Sequence, residues 1–160
     1  MDAVVAVFSD WGIGAEGTQQ VVLKADRAHF RALTEGAAVI VGRATLADFP
    51  GGRPLKNRHN IVVTRQAVEI EGAEVVHSAA EAVDCARKYP RTLVIGGESI
   101  YRQLLPETER VYVTRIELAP QSTAFFPNLD EDGAWLCTER GEAQEEDGIV
   151  YRFLTYERVK

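Results

Sequence analysis

The sequence predicts an α/β fold built on a mainly parallel sheet, and three observations carry that prediction. Apolar, β-branched-rich runs with little alternation recur between stretches of helical character, the pattern of strands buried on both faces. Two of these runs, Ala38-Val39-Ile40-Val41-Gly42-Arg43-Ala44-Thr45 and Leu93-Val94-Ile95-Gly96-Gly97-Glu98-Ser99-Ile100-Tyr101, pass straight into glycine where a helix should begin. Near the C-terminus the alternation stops, and strand-like residues 134–138 and 149–157 flank an acidic, turn-prone stretch, 140–148. That ending reads as an antiparallel hairpin with a long loop, closing one edge of the sheet.

Residues 3–8 form a continuous apolar run and a first strand. Residues 26–33 have helical character, with Phe30 and Leu33 three apart and Gly36 as a stop. A strand over 39–41 leads into a short helical turn from Ala44, broken at Pro50-Gly51-Gly52. Residues 60–64 and 74–76 give a third and a short fourth strand. Ser78 and Glu81 make a capping-box pattern for a helix ending near Tyr89-Pro90. A strand over 93–95, a helix over 99–105 and a long strand over 110–116 follow. There is no internal repeat, low-complexity tract or linker, so a single domain over residues 1–160 is expected.

Composition narrows the classes. A chain of 160 residues, 46% hydrophobic and 26% charged, has the make-up of a globular protein with one substantial core. Its net charge of −6, with no basic run, argues against nucleic acid or an anionic membrane as partner. An anionic ligand then needs local arginines. Cys85 and Cys137 lack metal spacing and read as buried free thiols of a reducing cytoplasm. The start Met-Asp-Ala-Val-Val has no basic n-region, and no apolar run approaches membrane-spanning length.

The glycine junctions matter because free N–H groups and the positive end of a helix dipole face the space beyond the strand, and glycine lets an anion approach the main chain. Two junctions suit a ligand with two phosphate clusters, with Arg43 and Arg65 available for extra charge; ordinary strand–helix turns are the alternative. Ligands in open α/β sheets lie beyond the C-terminal strand ends, and Thr64-Arg65 and Thr114 fall at such ends too. Gly12-Ile13-Gly14-Ala15-Glu16-Gly17 spells a dinucleotide fingerprint, but Thr18-Gln19-Gln20-Val21-Val22 is a poor helix start. A glycine-rich loop beside a ligand is the better reading.

Asp26 opens a helix with Phe30 one turn later on the same face. It is either a first-turn acid favoured by the dipole or a carboxylate at the floor of an apolar pocket lined by Val4, Val5, Phe30 and Ile95. In the second case it could pair with the N–C–NH₂ edge of a heterocycle. Other templates fail. Gly97-Glu98-Ser99-Ile100-Tyr101 lacks the closing glycine of a nucleophile elbow. His29, His59 and His77 have no ligand spacing and read as surface or cap residues, and Trp11 and Trp135 read as packing.

Taken together, the chain resembles dihydrofolate reductase from Ala3 through Tyr156. The resemblance rests on Trp11-Gly12-Ile13-Gly14, Asp26 with Phe30, 39–45 as quoted, Phe49-Pro50-Gly51-Gly52-Arg53-Pro54-Leu55, Arg58, Val63-Thr64-Arg65, 94–101 as quoted, Val113-Thr114-Arg115-Ile116 and Phe126-Pro127. It implies an eight-stranded sheet with four flanking helices. It also implies NADPH-dependent reduction of 7,8-dihydrofolate to 5,6,7,8-tetrahydrofolate, with hydride passing from nicotinamide C4 to pterin C6. Diaminopyrimidine and pteridine antifolates are the implied inhibitors, and a cytoplasmic monomer is the expected state.

By the same resemblance, Asp26 with Thr114 anchors the pterin and promotes protonation at N5, against Val4, Val5 and Ile95. Phe30, Phe49 and Leu55 hold the aminobenzoyl ring, and Arg58, otherwise a surface charge, clamps the glutamate α-carboxylate. Ala6 and Ile13 border the nicotinamide. Gly42, Arg43, Ala44 and Thr45 meet one phosphate, and Ile95, Gly96, Gly97, Glu98, Ser99 and Ile100 the other, with Val63, Tyr101 and Gln103 also on the cofactor side. Arg43, Thr64 and Arg65 are the candidates for the adenosine 2′-phosphate. The chain departs from the family pattern at Gln20-Val21, where a Pro-Trp pair is usual, at Lys24, and at Arg27, where an apolar residue usually faces the substrate. Altered loop behaviour is expected. A related reductase of the riboflavin pathway and a non-catalytic pterin or nucleotide binder are the rival readings.

Overall fold

The computed structural model describes residues 1–15 and 18–159. Six strands run parallel: β1 (Asp2–Phe8), β3 (Ala38–Gly42), β4 (His59–Val63), β5 (Ala73–Val76), β6 (Thr92–Gly96) and β7 (Arg110–Ile116). Between them lie β2 (Gly12–Gly14), α1 (Lys24–Thr34), α2 (Arg43–Ala47), α3 (Ala79–Ala86) and α4 (Glu98–Leu104). After them come β8 (Ala124–Phe125), β9 (Trp135–Arg140), β10 (Gln144–Glu146) and β11 (Ile149–Arg158). The main sheet has the order β10-β11-β7-β1-β6-β3-β4-β5, with β9 also pairing β11, and β2 and β8 form a separate ribbon. β9 and β10 share the outer edge of β11, so the sheet is eight positions wide, as expected.

The central strands are buried through their middles, with Val39, Ile40, Val41, Ile61 and Val62 all at 0% exposure. That is why their sequences do not alternate. The pleat sends alternate side chains to two layers. Ile40, Val94, Val5 and Val7 pack with Ala82, Cys85, Ala86, Ile100, Tyr101 and Leu104 of α3 and α4. Val39, Val41, Leu93, Ile95 and Val4 pack with Leu46 of α2 and with Phe30 and Leu33 of α1. Each fully buried Leu, Ile or Val contributes about 1.5–3 kcal/mol of transfer free energy.

The capping box holds at Ser78, whose Oγ accepts from the Glu81 N–H at 3.1 Å, while the Glu81 carboxylate reaches back to the His77 N–H at 2.7 Å. Trp11 packs as expected, against Phe126 and Tyr156. Trp135 packs under the Arg158 guanidinium. Both thiols are free, but only Cys85 is buried; Cys137 is half-exposed. No helix among the described residues is long and apolar enough to cross a membrane.

The described part of the fingerprint starts no helix, as the sequence suggests, since the next helix opens only at Lys24. Two expectations need correction: residues 12–14 are a strand pairing Ala124–Phe125 rather than a loop, with Glu16 and Gly17 outside the described residues, and the C-terminal hairpin differs in its turn. The acidic stretch is not a long loop. Gln144–Glu146 is a strand paired with 149–151, and the chain reverses over Asp147-Gly148, both at positive φ. That is the backbone a tight two-residue hairpin turn requires.

Candidate active site

The site grows from α1, which starts two residues earlier than the sequence suggests and so places Asp26 inside the first turn. The Asp26 Oδ1 accepts a hydrogen bond of 2.6 Å from the Thr114 hydroxyl. Thr114 is buried on β7 and lies opposite Ala6 of β1 in register. Burial pushes the Asp26 carboxyl above the usual carboxylate range, while the Thr114 hydrogen bond and the neighbouring His29 pull it down and Glu146 pushes it further up. Burial wins, so this acid holds its proton more tightly than an exposed one.

The apolar wall beside it comes from Val4, Ile95 and the half-buried Phe30, Phe49 and Leu55, all in one layer with Tyr112. Val5, expected on the same wall, is a correction. The period of two in a strand turns its side chain into the opposite layer, with Val7 and Val113. Arg58 is braced at the end of that wall. Its Nε donates to Thr34 Oγ1 at 3.1 Å, its Nη1 donates to the Lys56 carbonyl at 2.8 Å, and its Cζ lies 6.0 Å from the Phe30 ring centre. The loop that carries it is pinned by buried Asn60, whose side chain bonds both the N–H and C=O of Leu55 and the C=O of Arg58. Burial lowers the Arg58 pKa, Glu35 raises it and Arg31 lowers it, which places a second cation close by.

The two glycine junctions abut. A Cβ on Gly97 would stand 2.8 Å from Thr45 Oγ1, and one on Gly42 would stand 3.0 Å from Ile100 Cγ1. Gly96 has φ +123°, open to glycine and strained for other residues. Bare main chain at the ends of β3 and β6 therefore meets the helix starts of α2 and α4. At the next strand end, the Arg43 guanidinium bonds the Gln66 side chain, the Gln66 N–H bonds Thr64 Oγ1 at 3.2 Å, and His77 Nδ1 lies 2.9 Å from the Thr64 carbonyl. Arg65, beyond Val63 at the end of β4, is exposed beside them. Glycines that keep the main chain open and two exposed arginines at one corner fit a dinucleotide carrying an additional phosphate.

Some expected cofactor contacts are committed elsewhere. The Tyr101 hydroxyl donates to the Val4 carbonyl at 2.7 Å and its ring packs edge-on to Phe126, so it forms the floor under Gly96. The Glu98 carboxylate is bound to the Phe125 N–H at 2.6 Å, leaving its amide, not its side chain, for an anion. Gln103 and Ser99 bond each other at 2.8 Å on the exposed face of α4. Ile13 packs against the layer containing Trp11, and Ala44 is exposed on α2.

Five residues at or beside the candidate site were not picked out from the sequence. The side chains of Asn60 and Gln66 drew no reading, and His77 was read as a surface or cap residue. Glu146, placed in a loop without a role, accepts from the Lys24 and Ala25 N–H groups at 2.7 and 3.0 Å. Its only local signal was Leu23 before the helix, an N-cap position with no side chain able to cap. His29, read as a surface or cap residue, stacks on Phe153 at 4.1 Å beside Asp26, and burial lowers its pKa. No group of three or more His, Cys, Asp or Glu among the described residues is placed to hold a metal ion.

A family model described as dihydrofolate reductase matches residues 1–158. The chain is 36% identical over 149 residues to the dihydrofolate reductase of Bacillus subtilis, covering 91% of this chain and 87% of the relative. It is 35% identical over 156 residues to that of Haemophilus influenzae, covering 97% and 96%. A solved dihydrofolate reductase from Enterococcus faecalis, complexed with NADP(H) and RAB-propyl, superposes with a TM-score of 0.88 at 31% identity, covering 99% of this chain and 96% of that one.

Proposed function

The chain belongs to the dihydrofolate reductase family, and we propose that it reduces 7,8-dihydrofolate to 5,6,7,8-tetrahydrofolate with NADPH through a site in which Asp26 is the acid. The observation that carries the proposal is the Asp26–Thr114 pair, a buried carboxyl with raised proton affinity held at 2.6 Å by a buried hydroxyl.

Asp26 can receive the N3–H and 2-amino group of the pterin as a paired contact, and the Thr114 oxygen has a lone pair left for the amino group. Its raised proton affinity suits it to promote protonation at pterin N5. Phe30, Phe49, Leu55 and Ile95 would exclude water around the ring, and the guanidinium of Arg58 would pair with the glutamate carboxylate. The backbone at Gly42, Gly96 and Gly97 with Thr45 would receive the pyrophosphate, and Arg43, Thr64 and Arg65 the 2′-phosphate. When bound, NADPH supplies the hydride that adds to pterin C6. With the proton added at N5, one hydride and one proton convert dihydrofolate to tetrahydrofolate, and the enzyme's work is placement of two rings and control of one proton.

The test follows NADPH absorbance with dihydrofolate, then adds a diaminopyrimidine. Turnover that the inhibitor stops is the expected result. Cofactor binding without turnover, or turnover only with a ribosylaminopyrimidine, would overturn the proposal. The same proposal has the protein act as a cytoplasmic monomer, and light scattering at twice the 17.7 kDa chain mass would refute the monomer.

A further inference from the structure

The N-terminus of α1 has no cap of its own. Leu23 occupies the N-cap position and offers no side-chain acceptor to the free amides of the first turn. The acceptor comes from 122 residues further along the chain: Glu146 Oε2 takes the Lys24 N–H at 2.7 Å, and Oε1 takes the Ala25 N–H at 3.0 Å. Glu146 is the last residue of β10, in register with Ile149 across the Asp147-Gly148 turn. The hairpin tip thus grips the helix one residue before Asp26.

We propose that Glu146 is a positioning residue for the reaction, fixing the first turn of α1, and with it the Asp26 carboxyl, while setting the field in which that carboxyl takes up its proton. This rests on the assignment of Asp26 as the acid. The geometry supplies both halves. Two hydrogen bonds from adjacent amides define the position of the helix start. The same carboxylate brings a negative charge to a helix end whose positive dipole would otherwise favour ionised Asp26.

The groups that act on Asp26 can be named from each element around it. Thr114 of β7 stabilises the ionised form by its hydrogen bond. His29, one turn on, also favours the ionised form, but burial disfavours its own charge. Tyr101 of α4 stays protonated, its ionisation suppressed by burial and by Asp26. Glu146 opposes ionisation of Asp26. Glu146 itself is held below the ordinary carboxylate range by the Ala25 and Lys24 amides, with the Lys24 charge adding to them, so it remains ionised where the enzyme works.

The experiment uses Glu146→Gln, which keeps an amide oxygen for one of the two N–H groups and removes the charge, and Glu146→Ala, which removes both. Single-turnover hydride transfer from NADPH to dihydrofolate is measured across pH 5–9, and the Asp26 carboxyl carbon is titrated by NMR in each protein. Glu146→Gln is expected to move the midpoint of the rate profile and of the carboxyl titration to lower pH, and to slow transfer above the midpoint about threefold. Its KM for dihydrofolate should stay within about twofold, whereas Glu146→Ala should also raise KM as the helix start loosens. A Glu146→Gln profile and titration that coincide with the parent's would overturn the proposal, even if thermal stability fell, because a purely structural cap would move only stability. Asp26→Asn is the control. If that variant keeps the parent's rate profile, the acid assignment fails, while the carboxyl titration of the Glu146 variants still reads the field of Glu146 directly.

Discussion

Replacing Asp26 by Asn should cost activity and add stability, a pairing that tests the physical reading of the site. Asn has the same shape and keeps an oxygen for the Thr114 hydroxyl, which now bonds the carboxylate at 2.6 Å. Exchanging a hydrogen bond to a charged group for a neutral one loses about 1 kcal/mol. Against this stands the relief of no longer burying a charge. Burial is the larger influence on Asp26, since the net displacement of its pKa is upward despite the Thr114 bond. The sum should favour the variant by about 1 kcal/mol at neutral pH, which for a chain of this size moves Tm by about 2–4 °C.

The sign of the pH dependence follows from linkage. Asp26 ionises in the unfolded chain near its ordinary value of 3.8, but only at higher pH in the folded protein. Between those two values the unfolded state has already lost the proton that the folded state keeps, so the parent loses stability as pH rises through that window. The variant has no such loss. Its advantage should therefore be absent below pH 3.8 and complete above the folded-state value. Urea unfolding at pH 3.5 and pH 8 measures it. Turnover at neutral pH should fall about 10²–10³-fold for want of the acid, and recover partly as solvent protons replace it at low pH. A variant no more stable than its parent at pH 8, or undiminished turnover at neutral pH, would refute the reasoning.

Replacing Arg43 and Arg65 together by Ala should reduce the preference for NADPH over NADH by about 10–100-fold, read as the ratio of kcat/KM values; an unchanged ratio would place the 2′-phosphate elsewhere. Arg58→Ala should raise KM for dihydrofolate about 10–100-fold with little change in kcat, and leave a pteridine substrate lacking the glutamate unaffected. Gly97→Ala puts a methyl 2.8 Å from Thr45 Oγ1 and should weaken NADPH binding and stability by about 1–3 kcal/mol, with Thr45→Ala in the same chain restoring part of both by removing the clashing oxygen.

Most of the fold was readable because its signals are local. Continuous apolar runs announced strands buried on both faces, and 39–41 and 93–95 lie within β3 and β6 as expected. The hairpin was foreseen but its loop was overextended, because polar residues 144–146 form a largely exposed edge strand with no apolar alternation to reveal it. Its turn signal, Asp147-Gly148, lay in plain view. Val5 shows the opposite failure. In a strand buried on both faces the sequence does not say which layer a side chain enters, so Val4 and Val5 looked equivalent and only the pleat separates them.

The site was readable to the extent that its chemistry is carried by residues in fixed local settings. Asp26 one turn before Phe30, and glycines at strand ends, can be recognised without knowing what surrounds them. What the residues around them do depends on contacts between distant parts of the chain. Asp26 and Thr114 are 88 positions apart, Tyr101 and Val4 are 97 apart, and Glu146 and Lys24 are 122 apart. A carboxylate's proton affinity is the balance of those distant neighbours against its own burial. The sequence can therefore point to Asp26 as the candidate acid, while its strength belongs to the fold. If that is right, substitutions at Thr114 and Glu146 should move the Asp26 titration in opposite directions, upward for Thr114→Val and downward for Glu146→Gln, and the double variant should fall between them. Carboxyl NMR of the three proteins decides it, since equal or same-signed displacements would mean that the two residues act only by holding the helix in place.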